Sequence, residues 1–184
     1  MSLKATQTPL QDLLIIEPQL FGDQRGFFLE SFNQRDFNRA VGCDVQFVQD
    51  NHSRSSKGVL RGMHYQLTAP QGKLVRVVSG AVFDVAVDLR SHSATFKQWY
   101  GIELSAANHK QLWVPEGFAH GFVVLTESAE FLYKTTDYYQ PSDERALSWN
   151  DPTIAIEWPD LGSAPLLSVK DQQAPNFDVS ACYK

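Results

Sequence analysis

Short apolar runs broken by polar turns fill the middle of the chain, and their period is two. Phe83, Val85, Val87 and Leu89 alternate with Asp84, Ala86 and Asp88, the spacing of a strand with two unlike faces. Leu74-Val75-Arg76-Val77-Val78 precedes this run, and Ser79-Gly80 between the two predicts a β-hairpin. Tyr100, Ile102 and Leu104 alternate again. Gln111 to Val114, His120 to Leu125 and Phe131 to Thr136 are further short apolar runs bounded by turn residues. Regular short strands of this kind predict an all-β sandwich or barrel. Helical signals are few. Asn33 to Ala40 predicts a short helix, with Asn33 as N-cap and Gly42 just past its end. Ser168-Val169-Lys170-Asp171 resembles a capping box, and Pro175 would soon stop the helix it opens. No repeat, low-complexity run or linker interrupts the pattern, so residues 1–184 are expected to form a single domain.

Composition narrows the function classes. With 43% hydrophobic and 20% charged residues, the 184-residue chain is ordinary globular protein, not disordered, collagenous or coiled-coil. Twelve Phe against two Met lean towards sheet. A net charge of −5 speaks against a dedicated nucleic-acid binder, which needs a basic surface. Cys43 and Cys182 form no CxxC pair, so neither a zinc site nor a disulfide framework is signalled. Two free thiols suit a reducing compartment. The longest apolar run near the N-terminus, Leu13-Leu14-Ile15-Ile16, is too short for a signal segment or a membrane span. A soluble, cytoplasmic protein is expected.

The candidate chemistry begins at Pro115-Glu116-Gly117-Phe118-Ala119-His120. The order Pro-x-Gly-x-x-His resembles the second motif of the cupins, a jelly-roll superfamily in which a turn delivers a His at the start of a strand. The first cupin motif carries a Gly, then His-x-His, then a Glu. Here Gly58 and His64 fall at the right interval, but Gln66 stands in place of the second His, and no Glu lies between Leu67 and Leu74. A first-row metal in such a site wants two or three imidazoles and a carboxylate. Acid–base chemistry without metal is therefore the expectation for His64.

A closer resemblance runs from about Ile16 to Pro175. Phe21-Gly22-Asp23-Gln24-Arg25-Gly26-Phe27-Phe28-Leu29-Glu30-Ser31, Phe47-Val48-Gln49-Asp50-Asn51-His52-Ser53 and Val59-Leu60-Arg61-Gly62-Met63-His64-Tyr65-Gln66 resemble the dTDP-4-dehydrorhamnose 3,5-epimerases. So do Gln71-Gly72-Lys73-Leu74-Val75-Arg76, the segment Trp113 to Phe122, and Glu130-Phe131-Leu132-Tyr133-Lys134. The resemblance implies a cupin-like jelly roll and cofactor-free epimerisation of dTDP-4-dehydro-6-deoxy-glucose at C3 and C5. Both carbons flank the C4 ketone, so their protons are acidic enough for a side-chain base. The reaction needs a base on one face, an acid on the other, and a donor or cation at the enolate oxygen.

Carried over position by position, the resemblance makes His64 the base, and imidazoles ordinarily titrate near ~6.5, which suits the task. Asp171 orients it, Tyr133 is the acid, and Lys73 lies near the C4 oxygen. His120 becomes a substrate contact. Arg25, Arg61 and Lys170 fall near the diphosphate or sugar, where charge-assisted bonds are strong. Glu30, Gln49, Asn51 and Glu144 are polar binding positions, and Phe27 and Tyr139 sandwich the thymine, with Tyr138 an alternative to Tyr139. Plainer roles stand beside these: a structural His64 or His120, a helix-capping Asp171, a core Tyr133 on the face of Phe131, a solvated Lys73. Arg61 and His64 differ by three and would lie on opposite strand faces unless Gly62 marks a bulge. The resemblance also implies a homodimer whose N-terminal strand crosses to the neighbour, placing Arg25, Phe27 and Glu30 in the partner's site.

Overall fold

The structure, a computed structural model, describes residues 3–178 and 181–184. Two antiparallel sheets face each other. In chain order, the first contains β1 (Leu3–Gln7), β2 (Leu14–Pro18), β5 (Gln49–Ser56), β7 (Lys73–Ser79), β10 (Gln111–Val114) and β12 (Ser128–Thr135), arranged in space as β1-β2-β10-β7-β12-β5. The second contains β6 (Leu60–Gln66), β8 (Ala81–Asp88), β9 (Trp99–Ser105), β11 (Phe118–Val124) and β13 (Glu144–Ala146), arranged as β13-β6-β11-β8-β9. The hairpin β3 (Leu20–Asp23) and β4 (Gly26–Leu29) stands apart as its own two-stranded sheet. The chain builds the all-β sandwich that the short strands predict, in the cupin-like form that the resemblance implies.

The predicted hairpin at Ser79-Gly80 does not form. β7 pairs with β10 and β12, whereas β8 pairs with β9 and β11. The turn carries the chain from one sheet to the other. Gly80 takes a φ of 73°, and a Cβ there would sit 2.1 Å from the Ser128 carbonyl oxygen, so only glycine makes this corner.

The main core lies between the sheets, where Val75, Val77, Leu112 and Phe131 meet Val82, Ala86, Leu104 and Phe122. The alternation in β8 has two buried faces. Val82 and Ala86 point into the sandwich, while Val85, Val87 and Leu89 pack outward against Met63, Leu147, Ile154 and Cys182 of a second core. The chain after β13 supplies that outer cover. A third core joins Leu14, Ile16, Leu74 and Trp113 to Phe37 of helix α1 (Gln34–Val41). Asn33 caps α1 by accepting from the Asp36 N–H, and Gly42 ends it in the left-handed region, as its sequence predicts. Such an N-cap contributes about 1 kcal/mol. Helix α2 (Val169–Gln172) is a single turn capped by Ser168. Among the described residues no helix is long and apolar enough to cross a membrane.

Candidate active site

A cavity of about 580 Å³ opens between the sheets, within the range of small-molecule sites. On the first-sheet wall, strand alternation presents Asn51 and Ser53 of β5, Lys73 of β7, and Phe131 and Tyr133 of β12. Tyr133 is in register with both Asn51 and Val75. On the opposite wall, His64 of β6 is paired directly with His120 of β11. The register slips between His120 and Phe122, which is the bulge that brings Arg61 and His64 into the same cavity. Gly62 has a φ of 129°, and a Cβ on it would lie 2.6 Å from the Gly121 Cα. The two glycine backbones nest there, and a side chain on either would push β6 from β11.

His64 Nε2 lies 2.6 Å from Asp171 Oδ1. Nε2 is therefore the protonated nitrogen, and the Nδ1 lone pair has no protein partner among the described residues. Asp171 also keeps its helix role: its N–H donates to the Ser168 hydroxyl, and that hydroxyl donates to Oδ2 at 2.8 Å. The two roles do not compete, because a carboxylate has two oxygens and a backbone N–H besides. Burial alone would raise the Asp171 carboxyl. The His64 ring, the Ser168 hydroxyl and the Gly62 N–H outweigh that and hold it below its ordinary value.

His120 forms a second pair. Its Nε2 lies 2.9 and 3.0 Å from the two oxygens of Asp84. Asp84 was read only as the polar phase of a strand. Its signal lay in the apolar residues on both sides of it: a carboxylate in a doubly buried strand needs a partner.

Lys73 is 9% exposed, not a solvated loop lysine. Burial pulls its ammonium down to about 8, against the opposing pull of Glu144 and Asp84. Among the described residues its ammonium has no hydrogen-bond partner. Burial raises the Tyr133 phenol above its ordinary value, Arg61 pulls it back in part, and Glu144 adds to the rise. It is a neutral O–H donor at pH 7. Arg61 is fixed by donating from Nε to the Ser55 hydroxyl at 3.0 Å.

At the cavity's rim the Tyr139 hydroxyl donates to Glu144 at 2.7 Å, and Glu144 is ion-paired with Lys170. Burial would raise the Glu144 carboxyl, but Lys170, Tyr139 and His64 hold it low. Gln49 donates to the Asn51 side-chain oxygen at 3.0 Å, while the Asn51 Nδ2 is buried without a partner among the described residues. Tyr139 lines the cavity and Tyr138 does not. Gln66 donates to the Ala69 and Tyr138 carbonyls and accepts from the Gln140 N–H, so its side chain serves loop backbone. Among the described residues no three His, Cys, Asp or Glu side chains gather as metal ligands.

Of the expected site residues, Gln49 and Lys170 border the lining through Asn51 and Glu144, and three more lie away from it. Arg25 and Phe27 sit on the β3–β4 hairpin and Glu30 just after it, outside the cavity lining. Arg25 is held by Asp23, and Phe27 is 63% exposed. Within the single chain described, the N-terminal strand β1 pairs with β2, and the β3–β4 hairpin forms a sheet of its own.

A jelly-roll cavity that opposes a carboxylate-held imidazole to a half-buried phenol and a buried ammonium has the groups that acid–base catalysis requires. Comparison with known proteins narrows the class. The chain belongs to the dTDP-4-dehydrorhamnose 3,5-epimerase family, whose sequence profile matches residues 7–178. It is 60% identical over 181 residues to dTDP-4-dehydrorhamnose 3,5-epimerase of Pseudomonas aeruginosa, covering 98% of this chain and 99% of that one. The Salmonella typhimurium enzyme of the same name is 59% identical over 173 residues, covering 94% of each. Among solved structures, a dTDP-6-deoxy-D-glucose-3,5-epimerase from Legionella pneumophila in complex with dTDP-4-keto-L-rhamnose superimposes with a TM-score of 0.95 at 50% identity. That match covers 99% of this chain and 98% of the other.

Proposed function

We propose that this chain epimerises dTDP-4-dehydro-6-deoxy-D-glucose at C3 and C5, giving dTDP-4-dehydro-L-rhamnose, and needs no cofactor to do so. The observation that carries this reading is the placement of His64 and Tyr133 on opposite walls of one cavity with Lys73 between the sheets. His64 Nδ1 takes the proton from the carbon beside the ketone, and the electron pair moves onto the C4 oxygen. Lys73, buried and without a hydrogen-bond partner among the described residues, stabilises that enolate oxygen. Tyr133 then gives its phenolic proton to the opposite face of C5, which inverts it, and a water molecule supplies the proton that inverts C3. The imidazolium and phenolate return to their resting states by exchange with solvent. Asp171 holds the His64 tautomer and stabilises the imidazolium. His120, held by Asp84, contacts the sugar. Arg61 and Lys170 bind the diphosphate and sugar region, Gln49, Asn51 and Glu144 are its polar contacts, and Tyr139 stacks on the thymine. Turnover in deuterated water tests this: product deuterated at both C3 and C5, with L configuration, is expected. Deuterium at one carbon only would make the chain a single-carbon epimerase.

The active unit in this reading is a homodimer. The hairpin exposes Leu20, Phe21, Phe27 and Phe28 together, an apolar surface that calls for cover. Crossing to a second copy buries it and brings Arg25, Phe27 and Glu30 to the partner's cavity, with Phe27 stacking opposite Tyr139. Mixing inactive Arg25→Ala with inactive His64→Asn is then expected to restore activity on subunit exchange, because the intact halves meet in one site. Exchange without recovery would place each whole site in one chain. The compartment proposed is the cytoplasm, where the free thiols Cys43 and Cys182 remain reduced.

A further inference from the structure

The segment 137–140 follows β12 and belongs to no helix or strand, yet its backbone is held at four consecutive residues by glutamine side chains. Gln71 Nε2 donates to the Asp137 carbonyl at 2.8 Å, and Gln66 Nε2 to the Tyr138 carbonyl at 3.2 Å. The Tyr139 N–H donates to Gln49 Oε1 at 3.1 Å, and the Gln140 N–H to Gln66 Oε1 at 2.7 Å. Gln66 is the hub. Its side chain is 2% exposed, and its remaining amide hydrogen goes to the Ala69 carbonyl at 2.7 Å. Both its donors and its acceptor oxygen are thus engaged with loop backbone. The loop that holds Ala69 is itself tied across by Asp143, which accepts from the Thr68 and Ala69 N–H groups.

We propose that Gln66, at the position where the metal-binding cupin motif carries a histidine, is a positioning residue for nucleotide recognition. By gripping Tyr138 and Gln140 it fixes the loop on either side of Tyr139. This grip turns the Tyr139 ring into the cavity and leaves Tyr138 outside it. Without the grip, the chain would lose the ordering of this loop before substrate arrives, and binding would have to supply it. The inference rests on Tyr139 stacking on the base, as proposed above, and extends it to a buried residue whose side-chain amide is engaged by loop backbone.

The test is a double-mutant cycle read by calorimetric binding of dTDP and by steady-state turnover. Gln66→Leu is expected to weaken dTDP binding about tenfold, the order of a lost base–aromatic stack. KM should rise with it while kcat changes far less. In Tyr139→Ala the Gln66→Leu change should cost little further affinity, because the positioned ring is already gone. A Gln66 that is only structural would lower thermal stability and kcat, and its effect on dTDP would add to that of Tyr139→Ala. Unchanged dTDP affinity in Gln66→Leu, or additivity in the cycle, overturns the proposal. Should Gln66→Leu not fold, Gln71→Leu, which removes a single contact to the same loop, must show the same non-additivity with a loss of about threefold to tenfold; additivity there also overturns it. The outcomes separate from those of the epimerase reading. Wild-type protein that binds dTDP with this coupling yet leaves the sugar unchanged would refute the reaction and keep the positioning role. Turnover without coupling would do the reverse.

Discussion

His64 and His120 face each other across the β6–β11 ladder, each with a carboxylate on Nε2, but their surroundings differ. The His64 side chain is 28% exposed and meets one oxygen of Asp171, whose other oxygen is taken by Ser168. The His120 side chain is 9% exposed, shares both oxygens of a fully buried Asp84, and stacks beside Phe131. Proton transfer needs an imidazole that reaches substrate and a carboxylate that tolerates changes in its charge. Asp171 has that tolerance, because Ser168 and the Gly62 N–H remain when the imidazole changes state. Asp84 depends on His120. In the proposed reaction the same pair of residue types thus makes a base in one setting and a rigid contact in the other, with burial dividing the roles.

The strongest way to break this comparison is to remove each imidazole in turn. His64→Asn is expected to lower turnover by roughly 10²- to 10⁴-fold with the fold intact, the range for loss of a general base. Asp171→Asn should lose less, since the imidazole itself remains. Near-normal turnover in His64→Asn would remove the assignment. Stability should show the opposite order. His120→Ala strands the Asp84 carboxylate and is expected to cost about 3–5 kcal/mol in denaturant unfolding. His64→Ala leaves Asp171 its other donors and should cost about 1 kcal/mol. Equal losses would mean that the two pairs are structurally alike.

Much of this contrast could not be read along the chain. The capped helix α1 and most strands follow from local spacing, because caps and alternation act over a few residues. The sheet to which a strand belongs does not. Leu74–Val78 and Phe83–Leu89 look like two arms of a hairpin, and only the approach of Gly80 to the Ser128 backbone, 48 residues on, sends them to different sheets. His64, Tyr133 and Lys73 were found through a family resemblance and are brought together by pairing between distant strands. Asp84 was missed because β8 is buried on both faces, so alternation no longer separates inside from outside. Local spacing also does not separate Tyr138 from Tyr139, and it is the loop's path that puts only Tyr139 on the cavity lining.

A sharper version of the comparison asks what the opposite wall does. Tyr133→Phe keeps the ring and removes the donor, and inversion at C5 is expected to fall by about 10²-fold or more. Solvent deuterium should still enter the sugar, because His64 remains, and C3-epimerised sugar should accumulate. Proton and carbon NMR of the product distinguishes these outcomes. Inverted C5 product at the native rate would return Tyr133 to an ordinary core position.

The smallest expected effect is in pH dependence. Burial brings Lys73 to about 8, so kcat/KM should fall as pH rises through that value and the ammonium is lost. Stability moves the other way. Between about 8 and the ordinary value of 10.5 the unfolded chain holds a proton that the folded chain has released, so this group's contribution to stability rises with pH. Lys73→Met should therefore unfold later than the wild type at pH 7, with the gap closing towards pH 10.5. A gap that widens with pH would show that the folded protein stabilises the Lys73 ammonium instead of destabilising it.

The division of roles between the two histidines is tested most directly by solvent exchange. His64→Asn and His120→Asn are each incubated with dTDP-4-dehydro-6-deoxy-D-glucose in deuterated water, and deuterium at C3 and C5 is followed by NMR. Loss of exchange at both carbons in His64→Asn, with slower but continuing exchange in His120→Asn, is the predicted result. Continued exchange in His64→Asn and its loss in His120→Asn would contradict it and make the buried pair the base.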